Sequence, residues 1–181
     1  MSGRVLIVGV GNELLGDEGL GVHVARLLLA SRSHWPPGVR VLEAGTALFE
    51  LAPEIGCHEH VILVDAIRAG GRPGTIYRLE LDEIPPVDLQ AARPLSLHDE
   101  GLFEVLARIR LLGLLPSRLT LIGAEPQRLT PSLNLSQRLQ RAAARIAAIL
   151  EADLGRGQHR TARTKRAGAP GERRSAAARC G

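Results

Sequence analysis

The stretch Val5-Leu6-Ile7-Val8-Gly9-Val10-Gly11-Asn12-Glu13-Leu14-Leu15-Gly16-Asp17-Glu18-Gly19-Leu20-Gly21 decides how the chain is read. Val5 to Val8 is an apolar run long enough for a buried strand and too short for a helix. Leu20, Val24, Leu27 and Leu28 follow at i, i+4, i+7 and i+8, the spacing of one apolar helix face. Between them lies a strand-to-helix turn, glycine-rich where the backbone must bend or be closely approached. It sets two adjacent acids, Asp17 and Glu18, at or just before the helix start. In open α/β sheets ligands bind beyond the carboxyl ends of the strands, where this turn belongs.

A dinucleotide loop is the first reading to test. The fingerprint G-x-G-x-x-G needs its third glycine for close helix-strand packing. Here Gly9 and Gly11 are followed by Leu14, so that glycine is missing. The acids argue the same way, because a pyrophosphate needs bare N–H groups at a helix start and two carboxylates repel it. Such a pair suits a cation or acid/base work. The plainer alternative is that both acids complement the helix dipole, worth under about 1 kcal/mol each.

Outward from this stretch, apolar runs and helical periodicities alternate. Val39 to Leu42 reads as a second strand after a Ser31–Gly38 loop, and Ala47 to Glu54 as a short helix. Val61 to Val64 is another continuous apolar run, ending in Asp65; such strands fit a parallel sheet covered on both faces. Gly70 to Gly74 is a turn, and Thr75 to Leu81 alternates polar with apolar, as a half-exposed antiparallel edge does. Ser96 and Asp99 form a loose capping box before Leu102, Leu106 and Ile109, one face of a helix stopping near Gly113 or Pro116. Leu119, Leu121 and Ile122 make a last strand that leaves through Gly123-Ala124-Glu125-Pro126. Leu139, Ala143, Ile146 and Leu150 mark a final helix, ended by Gly155. Alternating β and α units predict one α/β domain over residues 1–154 with a mostly parallel sheet. Residues 155–181 form an Arg-rich tail without periodicity, for which disorder is expected.

Composition narrows the classes. Hydrophobic residues are 45% of the 181, enough for a packed interior, but aromatics are only 2%. That scarcity weakens any nucleic-acid reading built on stacked bases. The formal charge of +4 belongs to the tail. Eight of the 23 basic side chains and one of the 19 acids lie from Gly155 onward, leaving residues 1–154 with 15 against 18. No apolar run approaches a membrane span and no secretory h-region is present, so a cytoplasmic protein is expected. Cys57 and Cys180, far apart in sequence, read as free thiols.

Three titratable groups fall on one rim of the expected sheet: Glu18 after the first strand, Asp65 at the end of the third, and His98 in the loop opening the later helix. A Glu, an Asp and a His meeting at strand ends form a reasonable divalent-metal site. Near a helix start, the dipole favours the neutral imidazole that a metal needs. Cys57-His58-Glu59-His60 invites a zinc reading but lacks a second ligand pair at structural-zinc spacing.

The run from Gly9 to Val22 resembles the signature of the hydrogenase maturation proteases, endopeptidases that trim the C-terminal extension of the nickel-iron hydrogenase large subunit. Gly45-Thr46, Val64-Asp65-Ala66, Leu97-His98 and Gly123-Ala124-Glu125-Pro126 resemble the family's later landmarks, in order, from about Arg4 to Leu150. The resemblance implies a twisted five-stranded sheet between helices. It also implies an endopeptidase whose metal-contacting residues fall on Glu18, Asp65 and His98. The nickel would be carried by the large-subunit precursor rather than held tightly by the enzyme. On this view the partner is that precursor, the protein is a monomer, and neither nucleic acid nor membrane is engaged. The metal would polarise the scissile carbonyl or a water, with one of the carboxylates as general base. Neither a Ser-His-Asp set nor a credible cysteine nucleophile is evident. The rivals are a non-catalytic nickel-escort or precursor-binding chaperone and a nucleotide-binding α/β domain.

Overall fold

The computed structural model describes residues 4–31, 35–81 and 101–164, of which 156–164 are described as backbone only. Five strands, β1 (Val5–Val10), β2 (Val39–Gly45), β3 (His60–Ala66), β4 (Ile76–Glu80) and β5 (Arg118–Ala124), form one sheet in the order β2-β1-β3-β5-β4. Pairings among β2, β1, β3 and β5 are parallel, and β4 closes the edge antiparallel to β5. Both the mostly parallel sheet and its reversed edge match the sequence reading.

Among the described residues, four helices cover the sheet: α1 (Leu20–Ser31), α2 (Ala52–Gly56), α3 (Leu102–Leu111) and α4 (Gln137–Thr164). Strand side chains alternate between faces, and the buried residues sort accordingly. Ile7, Val41, Ile62, Val64 and Ile122 pack with Leu20, Val24 and Leu28 of α1 and Leu139, Ile146 and Leu150 of α4. Leu6, Val8, Leu63, Leu119 and Leu121 pack with Ile55 of α2 and Leu102, Leu106 and Ile109 of α3. Each central strand therefore feeds two cores, which explains its unbroken hydrophobicity.

The glycines of the opening stretch act by letting backbones touch. A Cβ on Gly21 would lie 2.1 Å from the Val64 carbonyl oxygen and 2.3 Å from that of Val10, so α1 begins directly against β1 and β3. A Cβ on Gly9 would lie 2.2 Å from the Gly21 carbonyl oxygen. Gly11, at φ +129°, brings its Cα against the Glu18 carbonyl, where a Cβ would be only 2.0 Å away. The helix-packing glycine absent at Leu14 is thus supplied later, by Gly21.

Several details differ from expectation. Leu27 is 45% exposed, because the inward face of α1 is completed by Val22 and Ala25. The helix expected over Ala47–Glu54 is a 3-10 turn (Leu48–Leu51) running into α2. Helix α4 does not end at Gly155 but continues to Thr164. Gly155 is exposed with no described atom within 4 Å of a Cβ position, and one solvent-facing glycine lowers helix propensity by only about 1 kcal/mol. The tail beyond Thr164, like the Ser96–Asp99 capping box, lies outside the described residues; α3 starts at Gly101 without a side-chain cap. Cys57, expected as a free thiol, is disulfide-bonded. It sits half-exposed just after α2.

At the amino edge of the sheet, His60 Nε2 meets Thr120 Oγ1 at 2.8 Å, and the same hydroxyl donates to Glu80 at 2.8 Å. Burial, together with the Arg118 charge and a smaller effect of Arg78, lowers the His60 pKa to about 4; Glu80 opposes them. His58 Nδ1 meets the Glu54 carbonyl oxygen at 2.8 Å. Both imidazoles of the Cys57–His60 run are thus engaged in separate structural contacts.

Gly21→Ala is expected to cost about 3 kcal/mol or more in a denaturant titration, since backbone cannot step aside as a side chain can. Gly155→Ala, facing open space within a helix, is expected to gain about 0.5–1 kcal/mol. Between pH 6.5 and 4 an unfolded His60 binds a proton that the folded one refuses, so folding stability falls as pH drops through that window. Melting curves of His60→Gln are expected to lose less stability across it than the parent.

Candidate active site

The carboxyl ends of β1, β3 and β5 open onto one rim, and three loops leave from it: residues 11–19, 67–75 and 125–136. Glu18 lies in the first, within the 3-10 turn Gly16–Gly19, and is 4% exposed. Its turn packs against β3, the strand that carries Asp65. Asp65 is the penultimate residue of β3, is 1% exposed, and accepts the Ala66 N–H at Oδ1 (2.7 Å). Two of the three residues singled out from sequence are therefore buried on neighbouring elements of one rim. His98 lies outside the described residues.

Burial gives these two acids their chemical interest. Carboxylate oxygens together with imidazole suit a divalent first-row metal. Among the described residues, no three His, Cys, Asp or Glu side chains are grouped to hold a metal ion.

The adjacent acid, Asp17, has a different task. It is fully buried, and its carboxylate accepts four hydrogen bonds from the segment between β5 and α4. Oδ2 takes the Gln127 N–H (2.8 Å), the Arg128 N–H (3.0 Å) and the Ser136 hydroxyl (2.9 Å), while Oδ1 takes the Ser136 N–H (2.6 Å). Ser136 directly precedes α4, and its Oγ lies 3.4 Å from the Leu139 N–H, in the capping position. Asp17 thus sits at the start of α4, where the dipole favours an anion.

Glu125 plays a matching part on the other side. Its Oε2 accepts the N–H groups of Ala69 (2.9 Å) and Gly71 (3.1 Å) and the Tyr77 hydroxyl (3.0 Å). Burial pushes its carboxyl upward, but the N–H groups of Ala69 and Gly71, the Tyr77 phenol and Gly70 outweigh it and leave the pKa below the ordinary value. Burial and the bond to Glu125 raise Tyr77 in turn. Sequence reasoning placed Asp17 and Glu125 in motifs without seeing that both bind loops. The one available signal was Ser136, a capping residue ahead of an apolar-periodic helix.

The sequence model described as hydrogenase maturation protease (HycI) matches residues 22–153. The chain is 37% identical over 134 residues to the hydrogenase 2 maturation protease of Escherichia coli K12, covering 74% of this chain and 79% of that one. It is 38% identical over 123 residues to the hydrogenase expression/formation protein HupD of Rhodobacter capsulatus. That match covers 68% of this chain and 57% of HupD, so the chain spans less than two thirds of that relative. The solved structure of the hydrogenase maturating endopeptidase HybD from E. coli superposes with a TM-score of 0.66 at 34% identity, covering 83% of this chain and 93% of HybD. The matches agree with one another: the chain belongs to the hydrogenase maturation protease family.

Proposed function

We propose that this chain is an endopeptidase that removes the C-terminal extension of a nickel-iron hydrogenase large-subunit precursor after nickel has been inserted. Membership of the family supports the reaction class, and the observation that carries the site is the burial of Glu18 and Asp65 on neighbouring elements at the carboxyl rim. Glu18, Asp65 and His98 contact the nickel that the precursor brings, so the metal belongs to the substrate. A precursor without nickel lacks the ion that these residues contact and is left uncut.

In the docked complex the nickel fixes the precursor's tail relative to the rim and supplies Lewis-acid polarisation. The chain's own contribution is positional and acid-base. The two carboxylates approach the metal from a site largely withheld from water, where charge interactions are strong. One of them accepts the proton of the attacking water. The enzyme acts as a monomer on a folded partner in the cytoplasm.

The nucleotide-binding alternative fits the rim poorly. The glycine-rich turn is packed by the chain's own carbonyl groups, Glu18 against Gly11 and Val64 against Gly21, and two buried carboxylates stand where a pyrophosphate would seek N–H donors.

The mass of a large-subunit precursor incubated with the purified chain under reducing, anaerobic conditions tests the reading. Shortening is expected with nickel-loaded precursor and not with nickel-free precursor. Absence of any shortening would remove the enzyme assignment in favour of an escort or chaperone. Glu18→Gln, Asp65→Asn and His98→Ala are each expected to keep the parent's melting behaviour and to slow trimming by about a hundredfold or more. Full activity in all three would displace the site.

A further inference from the structure

We propose that Asp17 is the positioning residue for Glu18: by gripping the segment between β5 and α4 it sets where the Glu18 carboxylate stands relative to nickel in the substrate. The proposal rests on the function proposed above and deepens it. Successive residues of a 3-10 turn diverge by about 120°, so a turn whose Asp17 is held in one direction has its Glu18 direction set as well. The hold on Asp17 is fourfold, through Gln127, Arg128 and both donors of Ser136.

Main-chain bonds reinforce it. The Gly16 N–H donates to the Ser132 carbonyl (2.8 Å), the Ser132 N–H donates to that of Leu14 (2.9 Å), and Leu15 and Ser132 form an isolated parallel bridge. On its other side the turn meets Gly11, whose missing Cβ makes room for the Glu18 carbonyl. The turn that carries Glu18 is therefore wedged between the end of β1 and the 127–136 segment. That segment begins beside Glu125, which grips Ala69 and Gly71 in the loop leaving Asp65. One strap thus ties both metal-facing acids to a common frame.

Asp17→Asn is nearly isosteric but replaces one acceptor oxygen with a donor amide, which then faces N–H groups it cannot satisfy. Ser136→Ala removes the hydroxyl and keeps the other three bonds. The intact chain is compared in two measurements: trimming rates on nickel-loaded and nickel-free precursor, and amide hydrogen exchange. In Asp17→Asn the trimming rate on nickel-loaded precursor, measured well below the melting temperature, is expected to fall tenfold or more. Amides of the 16–19 turn and of Gln127, Arg128 and Ser136 are expected to exchange at least tenfold faster while those of β3 and α1 keep their protection. Ser136→Ala should move both readouts in the same direction by a smaller factor.

A role confined to stability would leave the trimming rate per folded molecule unchanged and raise exchange throughout the fold; that result overturns the proposal. Unchanged exchange at the turn overturns it too. If Asp17→Asn does not fold, Ser136→Ala decides on the same readouts. Should the parent chain trim neither precursor, or both equally, the functional reading or its nickel step fails, and hydrogen exchange alone still decides whether Asp17 holds the turn.

Discussion

The structure depends on a place where a helix begins with no side chain between it and the sheet. At Gly21 the backbone of α1 lies against the carbonyl oxygens of Val10 and Val64, closer than any residue with a Cβ allows. That contact fixes the distance between α1 and the two central strands, and it leaves the preceding turn no freedom to swing away. Glu18 precedes Gly21 by three residues, so its place at the rim follows from the tightness of this packing. Gly9 and Gly11 serve the same approach from the strand side, the first against Gly21 and the second against Glu18.

Among the described residues, four buried acids gather around this rim, and two of them bind loops. Asp17 and Glu125 spend their oxygens on backbone N–H groups and hydroxyls of neighbouring loops. Such bonds hold irregular segments in place where no ladder can, and losing one partner leaves a buried group unsatisfied. Glu18 and Asp65 stand on the elements those loops steady. The two loop-binding carboxylates thus give the rim its rigidity.

Much of the fold was legible because strand and helix periods differ so clearly here. Val5–Val8 and Val61–Val64 could only be strands buried on both faces, and the alternation from Thr75 to Leu81 marked the reversed edge before any coordinates. Leu27 misled because an apolar residue at helical spacing is not bound to face inward when Val22 and Ala25 already fill the interface. Gly155 misled because a glycine is a weak stop where no αL cap follows it, and α4 runs on. At the rim, the places of Glu18 and Asp65 could be read from their positions at or beyond the strand ends. The task of Asp17 could not, since its partners lie 110 to 119 residues further along the chain and are mostly backbone amides, which no side-chain pattern announces.

That separation bears on how the protein comes into being. Synthesis proceeds from the amino end, so β1, the Glu18 turn and α1 emerge long before Ser136 does. Until then the Asp17 carboxylate has no clamp, and the strap that steadies the rim does not exist. A growing or truncated polypeptide can therefore carry Glu18 without holding its turn in register. The frame of the rim is completed only when translation has passed the start of the last helix.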